Sequence, residues 1–160
     1  MEVRQRVSDI VVEEGWALIK LGRVPDKPGI AAQIFLTIAN AHISVDLILQ
    51  NASVDRMTDI SFTVRRDDVE STVGCLEAIR DEVAVDSIEA MQRLTKVELV
   101  GTGIVSDPSY VGGLFKALGE SQVNVIAIGT SEVRISCLIQ QEDQKKAADA
   151  LHGAFQVREA

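Results

Sequence analysis

The chain repeats itself, and this repeat constrains the fold more than any other feature of the sequence. When Pro28 is placed over Pro108, residues 27–50 align without a gap with residues 107–130, and apolar positions mostly coincide. After a shift of five residues the alignment resumes, where "ISFTVRRDD" matches "ISCLIQQED". Two copies of one structural unit is therefore the economical interpretation.

Each copy predicts the same order of strands and helices. A strand ("WALIKLG" or "TKVELVG") leads into a turn with proline, and the next helix carries apolar residues at helical spacing, such as Ile30, Ile34 and Ile38. Two more strands ("SVDLILQ" and "DISFTVR" in the first copy) and a second helix follow. The order βαββα lacks one strand of a ferredoxin-like βαββαβ unit. We therefore predict an α+β fold of two such units, in which each antiparallel sheet carries helices on one face.

The missing strands predict how the chain is divided. The first copy takes its last strand from residues 83–91, whereas only five residues follow Phe155 in the second copy. The apolar segment 6–12 has no place in the first copy, and we expect it to supply the last strand of the second. The predicted domains are residues 13–92 for the first unit and residues 6–12 with 93–157 for the second, so that the first is inserted in the second.

Composition excludes several classes of function. The formal net charge of −8 disfavours a nucleic acid or an anionic membrane as partner, since both require clustered Lys and Arg. No apolar run approaches the ~20 residues of a membrane span, and the N-terminus lacks the pattern of a signal peptide, so we expect a cytoplasmic protein. Cys75 and Cys137 are isolated and predicted to be core thiols, and His42 and His152 have no metal-ligand spacing. Neither a metal nor a cofactor is expected.

The stretch "VPDKPGIAAQIF" predicts either a plain turn before a helix or a pocket for a small anion. Pro28 suits the first turn of a helix, where its missing N–H is not needed. Gly29 removes a side chain where the backbone would have to approach a ligand closely. The first N–H groups of the helix point out of its positive end, where a carboxylate fits. A turn and cap without any ligand explains the same residues.

Two polar side chains extend this hypothesis to a site for a free α-amino acid. Asp26, just before the turn, could take an ammonium group, and Gln50, at the end of the neighbouring strand, offers an amide. The predicted ligand contacts are Asp26, Gly29, Ile30, Ala31 and Gln50. In the second copy Ser109 and Tyr110 stand in place of the glycine and isoleucine, so a ligand there would need a different arrangement.

Longer segments resemble a known family. "VPDKPGIAAQIF", "ISVDLILQNAS", "TDISFTV" and "TSEVRISCLI" resemble the paired ACT domains in the regulatory region of aspartate kinase, over roughly residues 7–157. The resemblance implies two ACT units, with the first inserted in the second, and it implies regulation rather than catalysis. In that family a separate domain phosphorylates aspartate with ATP, and the ACT pair binds threonine, lysine or both as feedback inhibitors. The chain therefore resembles a regulatory (beta) subunit or C-terminal region, without catalytic residues of its own.

The resemblance also implies further effector contacts and partners. Asn124 and Val125 match positions that close the pocket from the other unit across a dimer interface. Thr130, Ser131 and Glu132 match lysine-responsive sites. Ser53 matches a position linked to inhibitor response, and Asp46 could meet a lysine ammonium. The implied partners are threonine or lysine, a second copy docked through the ACT domains, and an aspartate kinase catalytic domain or alpha subunit.

Other functions remain open at this point. An ACT pair could serve a different enzyme or act alone as an amino-acid sensor. A hydrolase resembling acylphosphatase would need an arginine in the first loop beside a catalytic asparagine, and only Arg23 is available there. An RNA-binding module on this fold would show aromatic residues on its central strands, which hold Phe62 alone.

Overall fold

The computed structural model of the protein describes residues 6–157. The strands in this part of the chain are β1 (Asp9–Pro25), β2 (Ile48–Gln50), β3 (Met57–Arg65), β4 (Ser87–Val100), β5 (Ala127–Thr130) and β6 (Arg134–Gln140). The helices are α1 (Ile30–Asn40), α2 (Val69–Ala78), α3 (Arg80–Val83), α4 (Pro108–Glu120) and α5 (Gln144–Ala154).

The chain divides into two compact units. The first unit is Gly15–Arg93, and the second consists of the described residues up to Glu14 and from Leu94 onward. β1 and β4 each carry residues of both units, and each has a left-handed residue at the division, Gly15 with φ 85° and Arg93 with φ 59°. The ACT boundaries expected from the sequence, and the insertion of one ACT unit in the other, stay predictions.

The first unit has the strand order β2-β3-β1-β4, in which β3 pairs antiparallel with both β2 and β1. Side chains alternate across each strand, so every second residue faces α1 and α2. Phe62 is fully buried in this layer and makes an edge-to-face contact with Phe35, with ring centroids 5.5 Å apart. The core of the unit also contains Ala17, Ile19, Leu21, Ile34, Ile38, Ile60, Val64 and Leu76.

The second unit has the strand order β1-β4-β6-β5, in which β6 pairs antiparallel with both β4 and β5. Val7, just before β1, is buried in its core, and the backbone N–H of Ser8 donates to the Val100 carbonyl at 2.7 Å. The helices α4 and α5 cover one face of this sheet. Their core residues Leu114, Leu118, Ala147 and Leu151 share a cluster with Val97, Leu99, Ile135, Cys137 and Ile139 of the strands.

Equivalent positions of the repeat have equivalent local structures. His42 and Gln122, which the sequence alignment superposes, both have left-handed backbone with φ 58° just after the first helix of their unit. A 3₁₀ turn precedes the second helix in each unit, at Arg66–Asp68 and at Gln141–Asp143. The predicted α+β fold of two repeated units, with antiparallel sheets and helices on one face, is confirmed.

The start of α1 differs from the prediction. The helix begins at Ile30, so Pro28 precedes it and does not lie in its first turn. The reason is Gly29, which has φ 93° and is therefore outside the helical region of negative φ. The prediction for Pro28 was wrong, whereas Pro108 does open α4 as its first residue.

Two strand predictions were also wrong. The sequence predicts a strand from Ser44, but β2 covers only Ile48–Gln50, because the N–H of Leu47 donates to the Thr63 hydroxyl at 2.8 Å and not to a backbone carbonyl of β3. The strands predicted at residues 83–91 and 95–101 form the single strand β4, which begins at Ser87. The residues that join them, "QRL", contain none of the common turn residues.

Candidate functional site

The Asp26 turn, residues 26–29, lies between β1 and α1 and is exposed throughout. The backbone N–H of Asp26 donates to the carbonyl of Arg56 at 2.8 Å, which joins the turn to the hairpin between β2 and β3. The bond does not by itself bring Gln50 to the turn, because Gln50 ends β2 and β3 lies between β2 and β1 in the sheet. The effector role of Asp26 stays a prediction.

The start of α1 is open. Gly29 is the residue before the helix, its φ of 93° favours glycine, and a Cβ placed there would meet nothing within 4 Å. Glycine is thus required by the backbone conformation and not by close approach to another part of the protein. Among the described residues, no side chain caps α1. One predicted donor is nevertheless engaged, because the N–H of Ile30 donates to the Lys27 carbonyl at 3.3 Å. Gly29 and Ala31 are the two predicted donors that the turn leaves for a ligand.

The start of α4, at the equivalent place in the second unit, is closed by the protein itself. The carboxylate of Asp107 accepts from the backbone N–H of Ser109 at 3.0 Å and from its hydroxyl at 2.7 Å. The Ser109 hydroxyl, followed by its N–H and by the charge of Arg6, holds the pKa of Asp107 below its ordinary value. A carboxylate of the chain therefore occupies the position where a ligand carboxylate would have to bind.

The remaining predicted residues of the first unit lie along β2 and its hairpin. Gln50 ends β2 opposite Ile60, and Ser53 lies in the hairpin beyond it; both are exposed. Asp46 is also exposed, and its N–H donates to the Thr63 carbonyl at 3.1 Å. Three residues lie between Asp46 and Gln50, so along an extended chain the two are roughly 13 Å apart. Gln50 and Ser53 therefore lie on the hairpin side of β2, and Asp46 lies before the other end of the strand.

The predicted residues of the second unit fall into two separate places. Asn124 is exposed and Val125 is half-buried against the core of the unit, both before β5. Thr130, Ser131 and Glu132 lie at the other end of β5, where the Ser131 N–H donates to the Arg134 carbonyl at 2.9 Å. Together with Thr102, Gly103, Val105, Ser106 and Val133, they line a cleft of about 530 Å³. Their binding roles stay predictions.

The first unit has a matching cleft that the sequence did not predict. It encloses about 200 Å³ between the end of β1 and the β2–β3 hairpin, and we call it the Arg23 cleft. Its lining residues are Arg23, Asn51, Ala52, Val54, Asp55, Met57, Thr58 and Asp59. The sequence shows no motif for it, because the cleft forms only where the end of β1 meets the hairpin between β2 and β3.

A β-bulge shapes the Arg23 cleft. Gly22 and Arg23 of β1 oppose the single residue Asp59 of β3, and Arg23 has left-handed backbone with φ 51°. The carboxylate of Asp59 accepts from the Arg23 N–H at 2.9 Å and so holds this conformation. For a residue with a side chain, left-handed backbone costs roughly 1–2 kcal/mol.

Other chemistry has little support in the described part of the chain. It contains no group of three or more His, Cys, Asp or Glu side chains that could hold a metal ion. Burial raises the pKa of the Cys137 thiol to about 12 and also raises the pKa of Cys75, so neither thiol is activated as a nucleophile near neutral pH. The same residues include no helix with the length and apolar character needed to cross a membrane. The cytoplasmic location stays a prediction.

The family model of the ACT domain matches the chain twice, at residues 22–79 and at residues 97–155. The two matches cover more than half of the chain, one in each copy of the repeat. The chain belongs to the ACT domain family. The Asp26 turn and the Arg23 cleft therefore lie in the first ACT unit, and the cleft at Thr130–Glu132 lies in the second.

The relatives of this ACT pair are aspartate kinases. The aspartokinase of Mycolicibacterium smegmatis is 40% identical over 151 residues, which are 93% of this chain and 36% of the relative. The ACT pair thus spans little more than a third of the length of the curated relatives it matches.

Solved structures match along almost the whole of both chains. The ligand-free regulatory subunit of aspartate kinase from Thermus thermophilus is 33% identical, with a TM-score of 0.89 over 94% of this chain and 99% of that one. The structure of aspartokinase alpha and beta subunits contains a chain that is 37% identical, with a TM-score of 0.86 over 92% of this chain and 97% of that one. The predicted resemblance to the ACT pair of the aspartate kinase regulatory region is confirmed.

Proposed function

We propose that this ACT pair is the regulatory amino-acid-binding part of an aspartate kinase and that it binds threonine, lysine or both for feedback inhibition. The observation that carries the proposal is the match to the Thermus thermophilus regulatory subunit, which extends over 94% of this chain and 99% of that subunit. The match therefore extends over nearly the whole of both chains. The catalytic partner is then a separate aspartate kinase domain or alpha subunit.

The open start of α1 supports a site for the carboxylate of the effector. The N–H groups of Gly29 and Ala31 lie at the positive end of the helix, which favours an anion. In the second unit the equivalent end already holds a carboxylate, that of Asp107. The start of α4 thus shows that this end of the helix accommodates a carboxylate. At the start of α1, the ligand supplies that carboxylate.

The side chains around the Asp26 turn support the rest of the effector. The exposed Asp26 carboxylate takes the ammonium group, and Gln50 offers an amide that both donates and accepts. The half-buried Ile30 provides apolar surface for a methyl group such as that of threonine. At about 1 kcal/mol for each of about eight non-hydrogen atoms, binding amounts to about 8 kcal/mol, or micromolar affinity.

Regulation requires that the effector prefers one arrangement of the assembly, typically by about 1–3 kcal/mol. A pocket completed by a second copy supplies this preference, because its contacts exist only when the copies are docked. We assign Asn124 and Val125 of a second copy to this role. Thr130, Ser131 and Glu132, with Asp46, are assigned to the response to lysine, and Ser53 to the inhibitor response in general.

Isothermal titration calorimetry with threonine, with lysine and with the other proteinogenic amino acids tests the proposal. Asp26→Ala should weaken effector binding about 10- to 100-fold, since it removes a charge-assisted partner, and it should leave the melting temperature unchanged because Asp26 is exposed. Asp149→Ala, an equally exposed aspartate on α5, is the matched control and should bind normally.

The dimer gives an independent measurement. Threonine or lysine should lower the dissociation constant of the homodimer in sedimentation experiments, since the pocket needs both copies. If neither amino acid binds and another one does, the chain is a sensor for a different enzyme. If no amino acid binds, the regulatory proposal is wrong.

A further inference from the structure

We propose that the Arg23 cleft is a second binding site for a free α-amino acid in the first ACT unit. Its lining includes none of the residues assigned above to the effector, namely Asp26, Gly29, Ile30, Ala31 and Gln50. The inference rests on the proposed function for the class of ligand. It adds a second place in the same unit at which such a ligand binds.

Two different backbone features border this cleft. Asp55 and Arg56, with φ of 54° and 60°, are the central residues of the hairpin turn that Val54 and Met57 close, where left-handed backbone is usual. Arg23, with φ 51°, lies instead in the β1 bulge, where left-handed backbone is unfavourable for a residue with a side chain. The bond from its N–H to the Asp59 carboxylate holds it in place at the edge of the cleft.

The left-handed backbone at Arg23 does not require an arginine side chain. Glycine adopts this conformation without strain. The bulge nevertheless has an arginine there, and its side chain is exposed beside the cleft. We assign its guanidinium to the ligand.

The charges of the lining fit a zwitterion. Arg23 offers a planar donor fork that suits a carboxylate, and the exposed carboxylates of Asp55 and Asp59 suit an ammonium group. Asp59 keeps acceptor sites for this purpose, because the Arg23 N–H uses only one of its oxygens. A simple anion would be repelled by the two aspartates, and a simple cation by Arg23. A molecule with both charges satisfies all three.

The size and the apolar part of the cleft fit a small amino acid. Its volume of about 200 Å³ is below the ~300–1,000 Å³ of pockets for drug-sized ligands. Ala52, Val54 and Met57 supply apolar surface for a side chain.

Titration of the ¹⁵N-labelled chain, followed by NMR, tests the inference with four probes: threonine, lysine, acetate and ethylammonium. We expect saturable shifts of the amides of Arg23, Asn51 and Asp59 with threonine or lysine. Acetate and ethylammonium should bind at least ten-fold more weakly, as judged from the same amides. The amides of Gly29 and Ala31 report the effector site in the same spectra, so the two sites are followed separately.

Two glycine substitutions form a matched pair. Arg23→Gly relieves the left-handed strain and removes the guanidinium, so the melting temperature should stay or rise while the shifts at Asn51 and Asp59 disappear. Arg56→Gly also replaces a left-handed arginine with glycine, in the hairpin opposite the bulge, but the Arg56 side chain is not among the described lining residues, so the shifts should persist. Arg23→Lys keeps the charge without the fork and should weaken binding several-fold.

Four outcomes would overturn the proposed site in the Arg23 cleft. If Arg23→Gly binds at Asn51 and Asp59 with wild-type affinity, or if wild-type shifts occur only at Gly29 and Ala31, the Arg23 cleft is not an amino-acid site and the proposed function stands. Equal affinity for acetate and threonine would also overturn the inference. If no probe shifts any of these amides, both the inference and the proposed function fail.

Discussion

The starts of α1 and α4 occupy equivalent places in two copies of one unit, yet only α4 is closed by a side chain. Asp107 precedes Pro108 and caps Ser109, whereas Lys27 and Gly29 stand at the positions equivalent to Asp107 and Ser109 in the first unit. No side chain among the described residues caps α1. The comparison teaches that the fold supplies a positive helix end in both units, and that the local residues decide whether it is available to a ligand.

The two helix starts are equivalent only if α1 and α4 pack on equivalent cores. The sheet positions beneath them differ strongly in size: the repeat alignment places Phe62 over Cys137, and both side chains are fully buried. Large side chains lose more free energy than small ones on truncation to alanine, because the lost contacts and the remaining cavity are larger.

The largest expected effect follows from this pair. Phe62→Ala should destabilise the protein by about 3–5 kcal/mol, because it removes the ring and its contact with Phe35. Cys137→Ala should lower the free energy of unfolding by only about 1 kcal/mol, since it removes one buried atom group. Urea unfolding monitored by circular dichroism measures both. Equal losses of unfolding free energy would show that Phe62 and Cys137 contribute equally to their cores, contrary to their difference in size.

The second effect concerns the open helix start directly. Gly29→Ala should destabilise the protein by about 1–2 kcal/mol, because φ of 93° is unfavourable for a residue with a Cβ even though the space around it is empty.

The matched control is Gly74→Ala, on the exposed side of α2, where a Cβ also meets nothing within 4 Å. That change should stabilise the protein by up to about 1 kcal/mol, because alanine is the better helix former. A destabilisation of the same size in both variants would mean that the backbone at Gly29 is ordinary and that α1 starts as α4 does.

Much of this fold follows from the sequence. The apolar spacing of Ile34 and Ile38 predicts the buried face of α1, and the alignment of the two copies predicts the order of elements in both units. The family is predicted from long matching segments. These signals are local or repeated, so they do not depend on knowing which strands meet.

What the sequence did not predict depends on contacts between distant residues. The regular pairing of β2 is interrupted where Asp46 and Leu47 share the single partner Thr63, and the left-handed Arg23 lies in the bulge that Asp59 holds. The start of α1 was misjudged because Pro-Gly suits either a turn or a first helical residue, and only the neighbouring hairpin at Arg56 selects the turn. The sequence therefore drew attention to the start of α1, whereas it gave no indication of the Arg23 cleft.

The smallest effect tests the closed helix start. Asp107→Ala removes the cap of α4 and should lower the melting temperature by about 2–4 °C at neutral pH. The pKa of Asp107 is lowered in the folded protein by the Ser109 hydroxyl, its N–H and Arg6. A lowered pKa means that the carboxylate stabilises the fold fully above the unfolded pKa of about 3.9, and that this contribution is lost as the pH falls through the folded pKa.

The difference in melting temperature between wild type and Asp107→Ala should therefore be constant from about pH 5 to 8 and should shrink towards zero below the ordinary aspartate pKa of about 3.9. Ser109→Ala keeps the backbone donor but removes the hydroxyl, so it should give a smaller difference with the same pH dependence. Differential scanning fluorimetry across this range measures all three proteins. A difference that persists unchanged at the lowest pH would mean that the Asp107 charge does not close α4, and the contrast between the two helix starts would then lie in backbone shape alone.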